Sequence, residues 1–113
     1  MKAASAWRDV TPDKPLYLFG QMHARLGKYA RDRLTVNAAV FENDQTTLAM
    51  ISADTCVLSD EIALEIRQRI VAASGIAMDN IVIAATHTHV APKLADFGLD
   101  TGDVDHAWVE SFK

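Results

Sequence analysis

The sequence predicts an α/β fold with a mixed sheet: a β-hairpin followed by a right-handed strand–helix–strand crossover. Three observations point there. Leu34 to Phe41 and Thr46 to Ala53 are strand-length runs separated by a turn at Glu42-Asn43-Asp44-Gln45. Ile62, Ile66 and Ile70 recur every four residues in a segment with helix signals at both ends. Ile81 to Ala85 is an apolar run long enough for one buried strand. Strand, helix and strand in that order join parallel neighbours, and such crossovers are right-handed. At 113 residues, half of them hydrophobic, the chain suits one domain with a real core.

Taken in order, residues 1–16 read as irregular apart from a short strand at Ala3 to Trp7, with Thr11-Pro12 and Lys14-Pro15 as punctuation. Residues 17–33 carry Gly20, Gly27 and many long polar side chains with no clean period, so a long loop with short helical turns is expected. In the strand that follows, Leu34, Val36, Ala38 and Val40 fall on one face. The turn composition at 42–45 suits an antiparallel hairpin into the second strand. Asp54-Thr55-Cys56 leaves that strand at its C-terminal end.

The helix is expected over residues 59–74. Ser59 caps it, Asp60 and Glu61 place negative charge at its positive end, and Gly75 stops it. Glu65 and Arg69 are spaced for a helical ion pair. After Pro92, residues 93–102 read as a mobile loop. A second helix begins at 103, capped by Asp103 or Asp105, with Val104, Trp108 and Phe112 on one stripe. That helix stops in mid-pattern at Lys113, which reads as the truncated N-terminal part, residues 1–113, of a larger hydrolase domain.

Composition narrows the function. Lys plus Arg number 11 against 15 Asp plus Glu, with no basic cluster, so a nucleic-acid surface is not expected. Cys56 is the only cysteine, so no internal disulfide forms. The first residues lack the apolar stretch of a signal peptide, and no apolar run approaches the roughly 20 residues that span a bilayer. A soluble, cytoplasmic protein is the expectation, although a chain trimmed of its leader reads the same.

The most informative stretch is Asn80-Ile-Val-Ile-Ala-Ala-Thr-His-Thr-His-Val-Ala-Pro92. If the backbone stays extended, His87 and His89 face one space, with Thr88 turned away. Imidazole is the commonest metal ligand and titrates near neutral pH, so a metal or acid–base site is expected at this strand end. The plainer alternative is two loop histidines hydrogen-bonded to backbone. Asp54, at the neighbouring strand end, either orients a ligating histidine through its other ring nitrogen or caps the turn into Thr55-Cys56. A buried, inert thiol is preferred for Cys56 over a ligand or nucleophile. His23 and His106 read as surface residues. Arg25, Arg31 and Arg33 read as a solvated, salt-bridged loop rather than an anion site.

These pieces resemble the start of neutral/alkaline, non-lysosomal ceramidases and their bacterial relatives. Asp9-Val10-Thr11-Pro12 is similar to the Asp-Ile-Thr-Pro of that family. Gly20 falls where the family has a Gly-Tyr, and Arg33 to Val40 looks like the strand that follows. Ser52-Ala53-Asp54 resembles a Ser-Leu-Asp strand end. Thr86-His87-Thr88-His89 with Pro92 is similar to Thr-His-Thr-His-Ser-Gly-Pro and is the most specific part. The resemblance implies a zinc-dependent amide hydrolase that cleaves the N-acyl bond of ceramide or a related N-acyl amide. It implies His87 as a zinc ligand, His89 as an active-site group that orients or stabilises the reacting atoms, and Gly20 as part of the same pocket. The family's other ligands, a His, a Glu and a Tyr, are expected beyond Lys113, so residues 1–113 alone are expected to bind zinc weakly and to catalyse little or nothing. Two positions depart from the pattern: Val90-Ala91 replaces Ser-Gly, and Gln21 replaces the aromatic. Both bear on the substrate more than on the metal. The alternatives are a hydrolase of a smaller amide or ester, and a non-catalytic α/β module that forms homo-oligomers through a sheet edge or the C-terminal helix.

Overall fold

A computed structural model describes residues 1–113. The chain forms strands β1 (Lys2–Asp9), β2 (Leu16–Leu18), β3 (Arg25–Gly27), β4 (Thr35–Glu42), β5 (Thr47–Ala53) and β6 (Ile81–Ala85). Its helices are α1 (Asp60–Ser74) and α2 (His106–Phe112), with a 3-10 turn at Met78–Asn80. The main sheet runs β1-β4-β5-β6, and β2 and β3 pair separately. β1 lies antiparallel to β4 and β4 antiparallel to β5, whereas β5 and β6 are parallel. This is the mixed sheet that the hairpin and the crossover imply.

The hairpin turn is made by Asn43, whose Oδ1 accepts from the backbone N–H groups of Gln45 (2.9 Å) and Thr46 (2.8 Å). Ser59 caps α1 by accepting from the Ile62 N–H, and Gly75 ends the helix with φ 75°. Register sets one face of the sheet. Val36, Ala38 and Val40 pair with Ala53, Ile51 and Ala49, which pair in turn with Ala85, Ile83 and Ile81. The opposite face carries Trp7, Phe41, Met50 and Val82, all exposed.

The best-buried cluster lies beyond the carboxyl end of β5, not under the middle of the sheet. It joins Val10, Leu16, Leu34, Ala53, Ile62, Ala91 and Leu94 to Trp108, Val109 and Phe112 of α2. Burying a large apolar side chain contributes about 1.5–3 kcal/mol, so three such residues anchor a helix of two turns. Trp108 also donates its indole N–H to the Val10 carbonyl at 3.1 Å. α2 therefore presents its apolar stripe to the chain's own core. Its cap is Asp105, which accepts from Trp108 N–H, not Asp103.

Three expectations need correction. β1 is eight residues long, not a short strand inside an irregular segment. Its Ala-rich sequence has little strand propensity, and it is held by backbone pairing along the whole of β4. Residues 17–33 contain the β2–β3 hairpin and no helical turn. The segment after Pro92 is tied down at both ends: Leu94 and Thr101 are buried, and Lys93, 3 % exposed, donates to the Gly102 carbonyl and to Asp96. No helix is long and apolar enough to cross a membrane.

Candidate metal centre

The site is built at the adjacent carboxyl ends of β5 and β6. Thr86 N–H still donates to the Ala53 carbonyl, which extends the parallel pairing by one residue. The chain then leaves the sheet. His87 has φ 60°, in the left-handed region where only a few per cent of non-glycine residues sit, histidine more often than most. The extended backbone expected through His87 and His89 is therefore absent. A bend, not a strand, brings the two rings together.

The result is close approach all the same. His87 Nε2 and His89 Nε2 lie 3.3 Å apart, with ring centroids separated by 4.9 Å and the planes at 77°. His87 Nδ1 lies 2.8 Å from the Cys56 carbonyl oxygen. A carbonyl only accepts, so Nδ1 carries the proton and Nε2 keeps its lone pair. Backbone carbonyls hold ligating histidines in this way in many metal sites. Both histidines are exposed to solvent, whereas Cys56 is 4 % exposed.

Gly20 lies against the second ring. Its φ is +106°, and a Cβ placed there would fall 2.5 Å from His89 Cγ. Only glycine leaves space for the imidazole at this distance. Gly20 is held by the neighbouring backbone: Phe19 N–H donates to the Ala91 carbonyl at 3.0 Å, and Lys93 N–H donates to the Tyr17 carbonyl at 3.0 Å. From β3, the Arg25 guanidinium donates to the His89 carbonyl. Two separate segments, residues 17–20 and β3, thus set the position of His89.

Asp54 touches neither imidazole. One carboxylate oxygen accepts from the Thr35 N–H (2.8 Å) and Thr35 hydroxyl (2.9 Å), and the other accepts from the Thr86 hydroxyl (3.1 Å). It ties the ends of three strands together. The group that fixes His87 is the Cys56 carbonyl instead. His23 and His106 are exposed and lie outside the cluster. Arg31 and Arg33 pair with Asp32 and Asp9 on the surface, as a salt-bridged loop should.

Cys56 is buried, as expected, and it also lies beside the histidine pair. Its Sγ lies 3.8 Å from His87 Nδ1, and single donor atoms of Cys56, His87 and His89 all fall within 4.8 Å of one another. Burial pushes its thiol pKa up, which disfavours a free thiolate nucleophile at neutral pH. The parallel register Ala53 to Ala85 was the available signal, because it sets the residues just beyond each strand end side by side. A tetrahedral zinc with Zn–N bonds of about 2.05 Å spans about 3.3 Å between two nitrogens. The two Nε2 atoms match that separation. The corresponding nitrogen-to-sulfur span is about 3.6 Å, whereas the close approach of Cys56 Sγ is to His87 Nδ1, the nitrogen turned to the Cys56 carbonyl.

A cavity of about 840 Å³ adjoins this turn on its other side. Thr88 and Val90 line it, and His87, His89 and Cys56 do not. A scan of the chain against protein-family models found no match, and a search of curated protein sequences found none either.

Proposed function

We propose that this chain carries the metal-binding corner of a zinc-dependent hydrolase of N-acyl amides. The observation that supports it most is the 3.3 Å approach of the two Nε2 atoms, with the other nitrogen of His87 occupied by the Cys56 carbonyl. A bound zinc supplies a Lewis acid that polarises a carbonyl and makes water a better nucleophile near neutral pH. The chain's own residues do the positioning. His87 and His89 would hold the ion through Nε2, and the Cys56 carbonyl keeps His87 in the required tautomer. Gly20 leaves space for the His89 ring, and Arg25 holds its backbone. The Cys56 thiol is the nearest further donor. The amide as the bond cleaved rests on the resemblance of Thr86 to Pro92 to the ceramidase motif.

Cobalt(II) titration followed by visible absorption tests the reading, because four-coordinate cobalt gives intense d–d bands. The expected result is saturable binding that zinc displaces and that His87→Ala and His89→Ala each abolish. A sulfur-to-cobalt charge-transfer band lost in Cys56→Ser would add the thiol to the ligand set. Absence of binding, or binding that both histidine variants retain, overturns the proposal. Zinc-dependent release of fatty acid from a panel of N-acyl amides and esters then identifies the bond.

A second reading is favoured by the open sheet face, where Trp7 is 61 % exposed beside Phe41, Met50 and Val82. Such a patch, next to the unpaired edge of β1, suits self-association. Sedimentation equilibrium that shows a monomer at every concentration removes it.

A further inference from the structure

We infer, on the self-association reading, that β1 pairs edge to edge with β1 of a second copy of this chain, antiparallel and about a two-fold axis at Ala6. β1 is the outermost strand of the main sheet, and all eight of its residues are exposed. Its register against β4 runs without a bulge from Lys2 to Asp9, and it holds no proline. An edge strand of this kind, neither covered nor interrupted, is a template for another strand.

The pairing pattern fixes which backbone groups are free. Val10 N–H donates at 2.9 Å to the carbonyl of Leu34, the residue that continues the β1–β4 register opposite it. On the far side of β4, Asp54 N–H donates to the Thr35 carbonyl at 2.9 Å. Hydrogen-bonded and non-hydrogen-bonded pairs alternate along an antiparallel ladder. Ala4, Ala6 and Arg8 therefore turn their backbone groups toward β4. Ala3, Ser5, Trp7 and Asp9 turn theirs outward, where no strand meets them.

The outward edge is complementary to itself. With the axis at Ala6, Ala3 meets the partner's Asp9, Ser5 meets the partner's Trp7, and symmetry repeats both meetings. Every outward residue is then used, each pair exchanging two hydrogen bonds. Arg8 faces the partner's Ala4, so no like charges stand directly opposite one another. An axis at Ser5 instead sets Lys2 against the partner's Arg8, which is destabilising. Side chains on both faces of β1 are exposed, so no helix packed over the strand bars the approach. The Trp7 ring, 61 % exposed, gains cover from the partner strand on the open face.

A single strand edge buries less than the roughly 1,200 Å² of a stable interface, so the dimer is sought up to about millimolar protein. Sedimentation equilibrium is expected to show monomer and dimer in exchange. Amide exchange at Ala3, Ser5, Trp7 and Asp9 is expected to slow about tenfold once dimer exceeds monomer tenfold, while Ala4, Ala6 and Arg8, already bonded to β4, change less. Ser5→Pro removes an outward donor and no bond to β4, and is expected to weaken dimerisation about tenfold or more with the fold retained. A monomer at every concentration overturns both the edge pairing and self-association itself. A dimer whose four outward amides exchange as fast as in the monomer, or one that a folded Ser5→Pro leaves equally tight, overturns the edge pairing alone and moves the contact to the open face. If Ser5→Pro unfolds, the exchange pattern of the unaltered protein decides.

Discussion

Gly20→Ala addresses the geometry on which the proposed metal site depends. The added Cβ would sit 2.5 Å from His89 Cγ, 2.8 Å from Cδ2 and 2.9 Å from Cβ. Carbon atoms in contact prefer about 3.5–4.0 Å, so the ring must withdraw by about 1 Å or the loop must shift. His89 is exposed and free to move outward, so the steric part is relieved. The φ of +106° is not relieved, and an alanine there costs about 1–3 kcal/mol. The displaced ring also loses the 3.3 Å approach to His87. Loss of such a supporting contact typically lowers metal affinity about 10–100-fold. Urea denaturation and cobalt titration read the two effects separately. A double-mutant cycle with His89→Ala isolates the clash, since the alanine partner has no ring to displace. A Gly20→Ala protein within about 0.5 kcal/mol of the parent in stability, with unchanged cobalt affinity, would refute the reasoning.

Other perturbations probe the frame around the site. Trp108→Ala is expected to cost about 3–5 kcal/mol in urea denaturation, through a lost ring and an orphaned Val10 carbonyl; a loss under about 1 kcal/mol would show that α2 is not the anchor. Asp54→Ala is expected to destabilise by about 1–3 kcal/mol, because it strips the Thr35 N–H of its acceptor, while the saturated cobalt spectrum stays unchanged; an altered spectrum would give Asp54 a role at the ligands. Acid titration reads the surface cluster that joins α1 to α2. Hydrogen bonds from Arg69 and then Lys113 lower the Glu110 pKa from 4.5 to about 2, and those from Lys113 and then Arg69 lower that of Glu65. Depressed carboxylate values contribute stability that is complete above 4.5 and fades as pH falls toward about 2. Glu110→Gln is expected to flatten the unfolding free energy across that window, and an unchanged slope would count against it.

What could be read from the residues alone followed from local chemistry. The α1 boundaries were legible because Ser59 and Gly75 are strong end signals, and the hairpin because Asn43 closes its turn. β1 was legible only as a short strand at Ala3 to Trp7, since Lys2-Ala-Ala-Ser-Ala carries little strand preference and its full length comes from pairing with the distant β4. The β2–β3 hairpin was hidden for a similar reason. Three-residue strands leave no period, and Leu18 is held as much by Pro92 as by β3. At the site, His87, His89 and Gly20 were named for their types and for the motif around them. The left-handed turn at His87, the Cys56 carbonyl and the Arg25 contact depend on segments that meet only in three dimensions.

The strap between Tyr17–Phe19 and residues 91–93 has a thermodynamic corollary. Short strands with few hydrogen bonds open at free energies far below that of global unfolding. If β2 and β3 swing off while the four-stranded sheet stays intact, Gly20 leaves the imidazole and Arg25 leaves the His89 backbone in one event. Amide exchange at Phe19 and Lys93 that precedes exchange within the sheet would report such an opening, which Leu16 in the core cluster resists.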